Sequence, residues 1–397
     1  VILANARIAT ADRVLAPGWL VVGDGRIAAL DEGTPPAPAD QDLAGRLLVP
    51  GFVDMHAHGA VGRSFDEADP AAAQAITRHH LAHGTTTMVA SLVSAPIHAL
   101  ADHLRSLAPL VESGTLAGVH LEGPFLAASH RGAHDPRHLQ PPTPAALEAL
   151  FDAAPGALRM ITLAPELPGA RDAIKRLRDV GVIVAIGHTA ADYETVRAAI
   201  DAGARVATHL HNGMPPIRGR EPGPVPALLD DERVTVELIA DGFHLHPAVL
   251  LRAALAAPGR IALVTDAMAA AGWGDGEYLL GGRRVLVSNG EARLVDADSL
   301  AGSTLTLDLA LQTAVAAGIE FSAALAAVTS APARALGIDN VTGTIAPGRL
   351  ADLVALDDDY TVHAVMHRGR WLDAEAWPSS PSPTTRKQFG RSPVTAR

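Results

Sequence analysis

The stretch Gly51-Phe52-Val53-Asp54-Met55-His56-Ala57-His58-Gly59 ends an apolar run in two histidines at positions i and i+2. Side chains two apart on a β-strand point to the same side, so both imidazoles can meet one cation. Histidine is also an ordinary half-buried residue, so the pair gains weight only from similar residues farther along the chain. Four more apolar runs end in metal-type side chains: one in Glu122, one in His188, one in His209 and His211, and one in Asp266. The chain has no cysteine, which rules out thiolate ligation and disulfides and leaves imidazole nitrogen and carboxylate oxygen as donors. Such a set suits a divalent ion.

Those side chains must be carried by regular elements. Between residues 51 and 268 an apolar, β-rich run, a polar turn and an alanine-rich helical stretch recur in that order. The runs at 52–58, 85–93, 118–123, 160–165, 182–188, 206–211, 234–241 and 261–266 predict eight strands alternating with helices. Strands that are apolar throughout imply a parallel sheet covered on its outside, and the count and length fit a closed (β/α)8 TIM-type barrel. An open doubly wound sheet is the structural alternative, but no glycine-rich dinucleotide fingerprint follows the first strand. Active sites on the barrel lie at the C-terminal ends of its strands, where His56, His58, Glu122, His188, His209 and Asp266 all fall. Asp266 also reads as a helix-capping carboxylate, but its place on the last strand favours a general base. His211 and His246 are left out of the ligand set. His79, His80, His83, His98 and His103 lie in helix-like or turn sequence and are expected to be surface or packing residues.

The two ends of the chain read differently. Residues 1–8, 19–22 and 26–30, then 350–356 and 362–371, are strand-like, and the economical inference is a small β-sandwich built from both termini. The expected organisation is residues 1–49 and 346–377 in that sandwich, 50–345 in the barrel, and a proline- and serine-rich disordered tail at 378–397. Residues 278–295 predict a hairpin beside the barrel, and 304–318 and 322–337 predict packed helices. At 397 residues and 48% hydrophobic content there is material for a large core. A net charge of -11 argues against nucleic acid and anionic membrane as partners. With no basic, apolar leader and no apolar stretch long enough to span a bilayer, a soluble cytoplasmic protein is expected.

Residues 50–59 resemble the opening strand of the amidohydrolase superfamily. His120-Leu121-Glu122-Gly123-Pro124-Phe125, Gly187-His188-Thr189, Thr208-His209-Leu210-His211-Asn212-Gly213-Met214, Ala240-Asp241-Gly242-Phe243-His244, Val264-Thr265-Asp266 and Ala301-Gly302-Ser303-Thr304 are similar, in order and spacing, to the N-acetylglucosamine-6-phosphate deacetylase family. The resemblance covers roughly residues 1–372. It implies Glu122, His188 and His209 as ligands of the main divalent ion and Asp266 as the catalytic acid and base. Ala133, His134, Asn212, Gly213, Arg220 and His244 would surround the amino-sugar phosphate, with backbone groups near Ala301 and Gly302. Some members replace the two first-strand histidines; by keeping His56 and His58 this chain has capacity for a second ion, with Glu122 as the bridge. Zinc is the first choice of metal, with iron, cobalt or manganese as alternatives. In the family the arginine equivalent to Arg220 reaches a neighbouring subunit's pocket, which implies a homodimer.

The chemistry can be argued from the residue types. An amide is a poor electrophile with a poor leaving group, and a divalent ion lowers the pKa of bound water from about 16 to about 7 and polarises the carbonyl. Asp266 can take the water's proton and return it to the departing nitrogen, while His134 either orients the acetyl carbonyl or only binds substrate. Arg218 and Arg220, on a glycine- and proline-rich loop, carry guanidinium forks that match phosphate oxygens. The same reaction on N-acetylgalactosamine 6-phosphate is the near alternative. A cyclic-amide hydrolase is more remote, because its metals are typically bridged by a modified strand-end lysine and the only lysines are Lys175 and Lys387. A barrel kept only as a binding module would show gaps in the ligand set, and there are none.

Overall fold

The computed structural model describes residues 1–373, so the tail expected from residue 378 onward lies outside the described residues. The eight apolar runs form eight parallel strands: β1 (Phe52–Ala57), β2 (Thr85–Val93), β3 (Gly118–Glu122), β4 (Leu158–Leu163), β5 (Ile183–Ile186), β6 (Val206–Ala207), β7 (Thr235–Ile239) and β8 (Ile261–Val264). Each is hydrogen-bonded to the next in chain order. The ring closes through main-chain bonds past the end of β8: Asp266 N–H donates to the His56 carbonyl at 2.9 Å and His58 N–H to the Ala267 carbonyl at 2.8 Å. β1 and β3 are buried at every residue, as strands covered on both faces must be. This is the TIM-type barrel the sequence predicts.

Helices cover the outside for local reasons. The helix Ile97–Glu112 buries Leu100, Leu104 and Leu107, one stripe at helical spacing, and each leucine fully removed from water contributes roughly 1.5–3 kcal/mol. Pro70–Ala82, Pro144–Ala153 and Tyr193–Ala202 start at Asp69, Thr143 and Asp192, whose side chains accept from backbone N–H groups of the first turn. The predicted helix at 322–337 is two helices, Phe321–Val328 and Ser330–Ala335, divided at Thr329, whose backbone (φ −132°, ψ −85°) leaves the helical region.

Four predicted strands stop short of site residues they were expected to carry; the first ends at Ala57, one residue before His58, and the other three turn away sharply. The ladder ends at Ile186, Ala207 and Val264, whereas His188, His209 and Asp266 lie beyond it with φ of 47°, 28° and 48°. Left-handed backbone is unusual for residues with a Cβ, and it turns each side chain over the mouth of the barrel rather than along the sheet. Gly187 makes room for this turn, since a Cβ there would sit 2.7 Å from Thr208 Cβ.

The terminal segments make one eight-stranded sheet in the order Arg370–Trp371, Val362–His367, Leu353–Leu356, Leu47–Pro50, Ile2–Ala9, Val14–Gly23 and Arg26–Glu32, with Gln41–Asp42 beside Ile2–Ala9. The expected sandwich is this sheet folded over itself: Ile27 N–H reaches the Arg349 carbonyl and Ala351 N–H the Gly25 carbonyl, both at 2.9 Å. Leu3, Ile8, Leu20, Leu48, Leu353 and Met366 fill the fold. The predicted hairpin gains a third strand, giving Gly276–Leu280, Arg283–Ser288 and Glu291–Leu294, and its inner face packs on Met268, Val93 and Ala301 at the barrel mouth. No helix among the described residues is long and apolar enough to cross a membrane.

Candidate metal centre

Five barrel strands deliver the site. β3 ends in Glu122, whose Oε1 lies 3.0 Å from His188 Nε2 and 2.8 Å from His209 Nε2, and the two nitrogens are 3.2 Å apart. Ligands about 2.0–2.1 Å from one tetrahedral ion stand roughly 3.3 Å from one another, so these three atoms are already close to the corners of a coordination polyhedron. A second group adjoins it. His56 Nε2 and His58 Nε2 are 3.2 Å apart, and Asp266 Oδ1 is 3.6 Å from the first and 3.2 Å from the second. Glu122 Oε2 is 3.2 Å from His58 Nε2, so one carboxylate faces both groups.

The outer nitrogens show which protons these imidazoles carry. His188 Nδ1–H donates to the His130 carbonyl at 2.8 Å, His58 Nδ1–H to the Ser91 carbonyl at 3.1 Å, and His56 Nδ1–H to Glu237 Oε2 at 3.1 Å. With the proton committed outside, Nε2 of each ring is the nitrogen free to offer a lone pair to the centre. His209 Nδ1 is buried without a hydrogen-bond partner. His134 is wired the other way: Ser94 N–H donates to its Nδ1 at 3.2 Å, so its Nε2, 3.3 Å from Glu122 Oε2, carries hydrogen. By distance Glu122, His134 and His188 also make a group able to hold an ion, but this tautomer makes His134 a hydrogen-bond donor rather than a ligand.

The electrostatics favour a cation. Burial pushes the carboxyl of Asp266 up, but the hydrogen bond from His58 and the charges of His56 and His58 outweigh it and hold the group at about 2. Burial also pushes Glu122 up, and the surrounding imidazoles carry it well below the usual carboxylate range. Conversely, burial disfavours charge on His58, yet Asp266 and Glu122 draw it up to about 9. Two ionised carboxylates in so dry a place call for positive charge, which either a proton on Nε2 or a divalent ion supplies. His134, in contrast, is pushed by burial down to about 4 and is neutral.

Of the residues predicted from sequence, His58, Glu122, Ala133, His134, His188, His209, Asn212, Gly213, His244, Asp266, Ala301 and Gly302 line one cavity at the mouth of the barrel. His56 lies beneath it, fully buried. Gly213 has φ 62° and sits where a Cβ would come within 2.8 Å of His188 Nδ1, so glycine permits both the turn and the approach. His244 is half-buried beside Asp241, whose Oδ2 is 2.7 Å from its Nδ1. Burial opposes its charge, and this bond and charge still raise its pKa. Arg220 is exposed on its loop and does not line the cavity of its own chain. His246 caps the helix Pro247–Ala256 and His211 is only half buried, so both stay outside the ligand groups.

Sequence reading missed Glu237, Ser94 and Asp241 as parts of the site. Glu237 left one signal, a lone carboxylate inside the apolar run Val-Thr-Val-Glu-Leu-Ile-Ala at 234–240. Ser94 acts through its main chain, which no side-chain pattern betrays.

Comparison with known proteins agrees with this geometry. The model of the Amidohydrolase family matches residues 47–372. The chain is 36% identical over 374 residues, 93% of its length and 98% of the relative's, to a protein of Escherichia coli O157:H7 named N-acetylgalactosamine-6-phosphate deacetylase. It is 34% identical over 383 residues, 92% of this chain and 91% of the relative, to the N-acetylglucosamine-6-phosphate deacetylase of Bos taurus. Among solved structures, an aspartate-to-alanine mutant of N-acetyl-D-glucosamine-6-phosphate deacetylase from Mycobacterium smegmatis, in complex with N-acetyl-D-glucosamine-6-phosphate, matches with a TM-score of 0.90 at 44% identity, over 94% of this chain and 98% of the other. With the barrel, the grouped histidines and carboxylates, and similarity along nearly the whole length, the chain belongs to the amidohydrolase family and, within it, to the N-acetylglucosamine-6-phosphate deacetylases.

Proposed function

We propose that the chain hydrolyses the acetamide of N-acetyl-D-glucosamine 6-phosphate to D-glucosamine 6-phosphate and acetate, as a step in amino-sugar breakdown or recycling. The observation that carries this reading is the convergence of Glu122, His188 and His209 with Asp266 at one cavity. Glu122, His188 and His209 would hold one divalent ion, and His56, His58 and Asp266, with Glu122 shared, a second. Zinc suits nitrogen and carboxylate donors best, with iron, cobalt or manganese as alternatives. When bound, the metal acts as a Lewis acid on the amide carbonyl and on water.

The chain's own groups do the rest. Asp266, ionised at neutral pH, accepts a proton from the attacking water and returns it to the departing nitrogen. His134 points a fixed N–H into the cavity and steadies the negative charge that develops on the acetyl oxygen. His244, whose pKa the neighbouring Asp241 raises, binds a polar or anionic part of the substrate, and Val93 and Leu280 supply apolar wall. Arg220 would meet the phosphate from a neighbouring subunit, since it lies away from its own cavity, so a homodimer is part of this reading. A sugar phosphate is charged and does not cross bilayers, so a cytoplasmic enzyme is part of this reading.

The same reaction on N-acetylgalactosamine 6-phosphate is a second reading, favoured by the name of the Escherichia coli relative. Acetate release from a panel of phosphorylated and unphosphorylated N-acetylhexosamines, with metal analysis of the purified protein, tests both readings. No acetate from any phosphorylated member overturns them together.

A further inference from the structure

We propose that Glu237 is the positioning residue for the His56 and His58 side of the centre, and that it sets whether a second divalent ion binds there. The inference rests on the two-ion reading above. Glu237 lies in β7, fully buried. A carboxylate in such a place costs several kcal/mol unless it is paired. Its Oε2 accepts from two directions at once: from His56 Nδ1–H at 3.1 Å and from the backbone N–H of His209 at 3.2 Å. The Glu237 carbonyl also accepts from Leu210 N–H at 2.9 Å. One residue therefore grips a side chain of one ligand group and the main chain of the other, at a position where His209 has an uncommon φ of 28°.

The opposite side of His56 is packed by a second imidazole. The His56 ring stands edge-on to His120, with centroids 4.7 Å apart, and both His120 nitrogens are committed, to Ser91 Oγ at 2.9 Å and Thr162 Oγ1 at 2.8 Å. Flipping the His56 ring would leave Glu237 Oε2 with only His209 N–H and put a carbon-bound hydrogen where Nε2 faces the centre. Charge points the same way. Two divalent ions bring four positive charges against two from Glu122 and Asp266, and Glu237 supplies a third negative charge one imidazole away. Its Oε1 has no hydrogen-bond partner, so hydrogen bonding leaves one of its two oxygens unused while its full charge lies under the centre.

The test compares the full chain with Glu237→Gln, which keeps the shape and an oxygen able to accept from His56, and Glu237→Leu, which keeps neither. Each is stripped with chelator, checked for folding by circular dichroism and titrated with zinc against a competing chelator. The expected result is two zinc ions per subunit in the parent and one tight ion in Glu237→Leu, with the second weakened roughly 10–100-fold or lost. Glu237→Gln should fall between them, and it carries the test alone if Glu237→Leu does not fold. A parent that takes two ions while the folded variants keep both at unchanged affinity overturns the role of Glu237 alone. A parent that takes only one ion, retained in His56→Ala and lost in His188→Ala, overturns the two-ion reading and this role with it.

Discussion

Asp266 Oδ1 lies 3.2 Å from Nε2 of His58, on a residue whose left-handed backbone turns the carboxylate over the cavity instead of along the last strand. In the proposed mechanism that contact puts a strong acceptor beside the place where water and amide nitrogen exchange a proton. Asp266→Asn keeps the shape and the Glu122, His188 and His209 group. It should retain at least one metal ion while acetate release falls about 10²–10⁴-fold. Turnover near the parental rate would remove Asp266 from the mechanism.

His134 offers a sharper distinction. Because Ser94 N–H holds its Nδ1, the nitrogen facing Glu122 donates hydrogen. His134→Leu should leave metal content unchanged and lower kcat by roughly 10²–10³-fold, the scale of a lost oxyanion donor. Loss of bound metal in that variant would make His134 a ligand instead.

Arg220 is exposed and stands outside its own cavity. Arg220→Ala should raise KM for N-acetylglucosamine 6-phosphate about tenfold or more, with little change for N-acetylglucosamine, as expected of a guanidinium that meets only the phosphate. Equal effects on both substrates refute that role. Mixing Arg220→Ala with Asp266→Asn protein should restore part of the activity if the arginine acts across a dimer, since some mixed sites then hold both native residues.

Away from the site, His80 is buried in the helix Pro70–Ala82, and burial pushes its pKa down to about 3; its neighbour His79 is pushed down to about 4. Both are neutral in the fold and titrate near 6.5 once unfolded, so the unfolded chain takes up protons first as pH falls. Their contribution to stability is complete above pH ~6.5 and is lost as pH drops toward 4 and 3, by up to about 1.4 kcal/mol per unit for each. In chelator, the urea midpoint of His80→Leu should therefore fall less steeply than that of the parent between pH 6.5 and 4.5. Parallel profiles would show that His80 does not bury its neutral form.

Much of this was legible from residue order. Eight apolar runs with imidazole or carboxylate at their ends announce a barrel with its chemistry at one rim, because strand period and parallel packing leave few other arrangements. The limits are equally specific. The runs through His188, His211 and Asp266 look like uninterrupted strand, since apolar pattern does not record the change of φ sign that ends the ladder. Glu237 reads as a stray charge until β1 and β7 are seen to bring His56 and its carboxylate together. The tautomer of His134 depends on an amide hydrogen of Ser94, which every residue but proline possesses and which no pattern can single out.

The main-chain bonds that join the ends of β8 and β1 run among residues 56, 58, 59, 266 and 267, and three of those five also belong to the groups able to hold a cation. The seam of the cylinder and its working parts thus share residues, the main chain closing the ring and the side chains facing the site. An ion gripped by His56, His58 and Asp266 would act as a rivet through that seam, so demetallation should slacken the ring first where its two edges meet, and amide exchange at His58 and Asp266 would register it before any distant strand does.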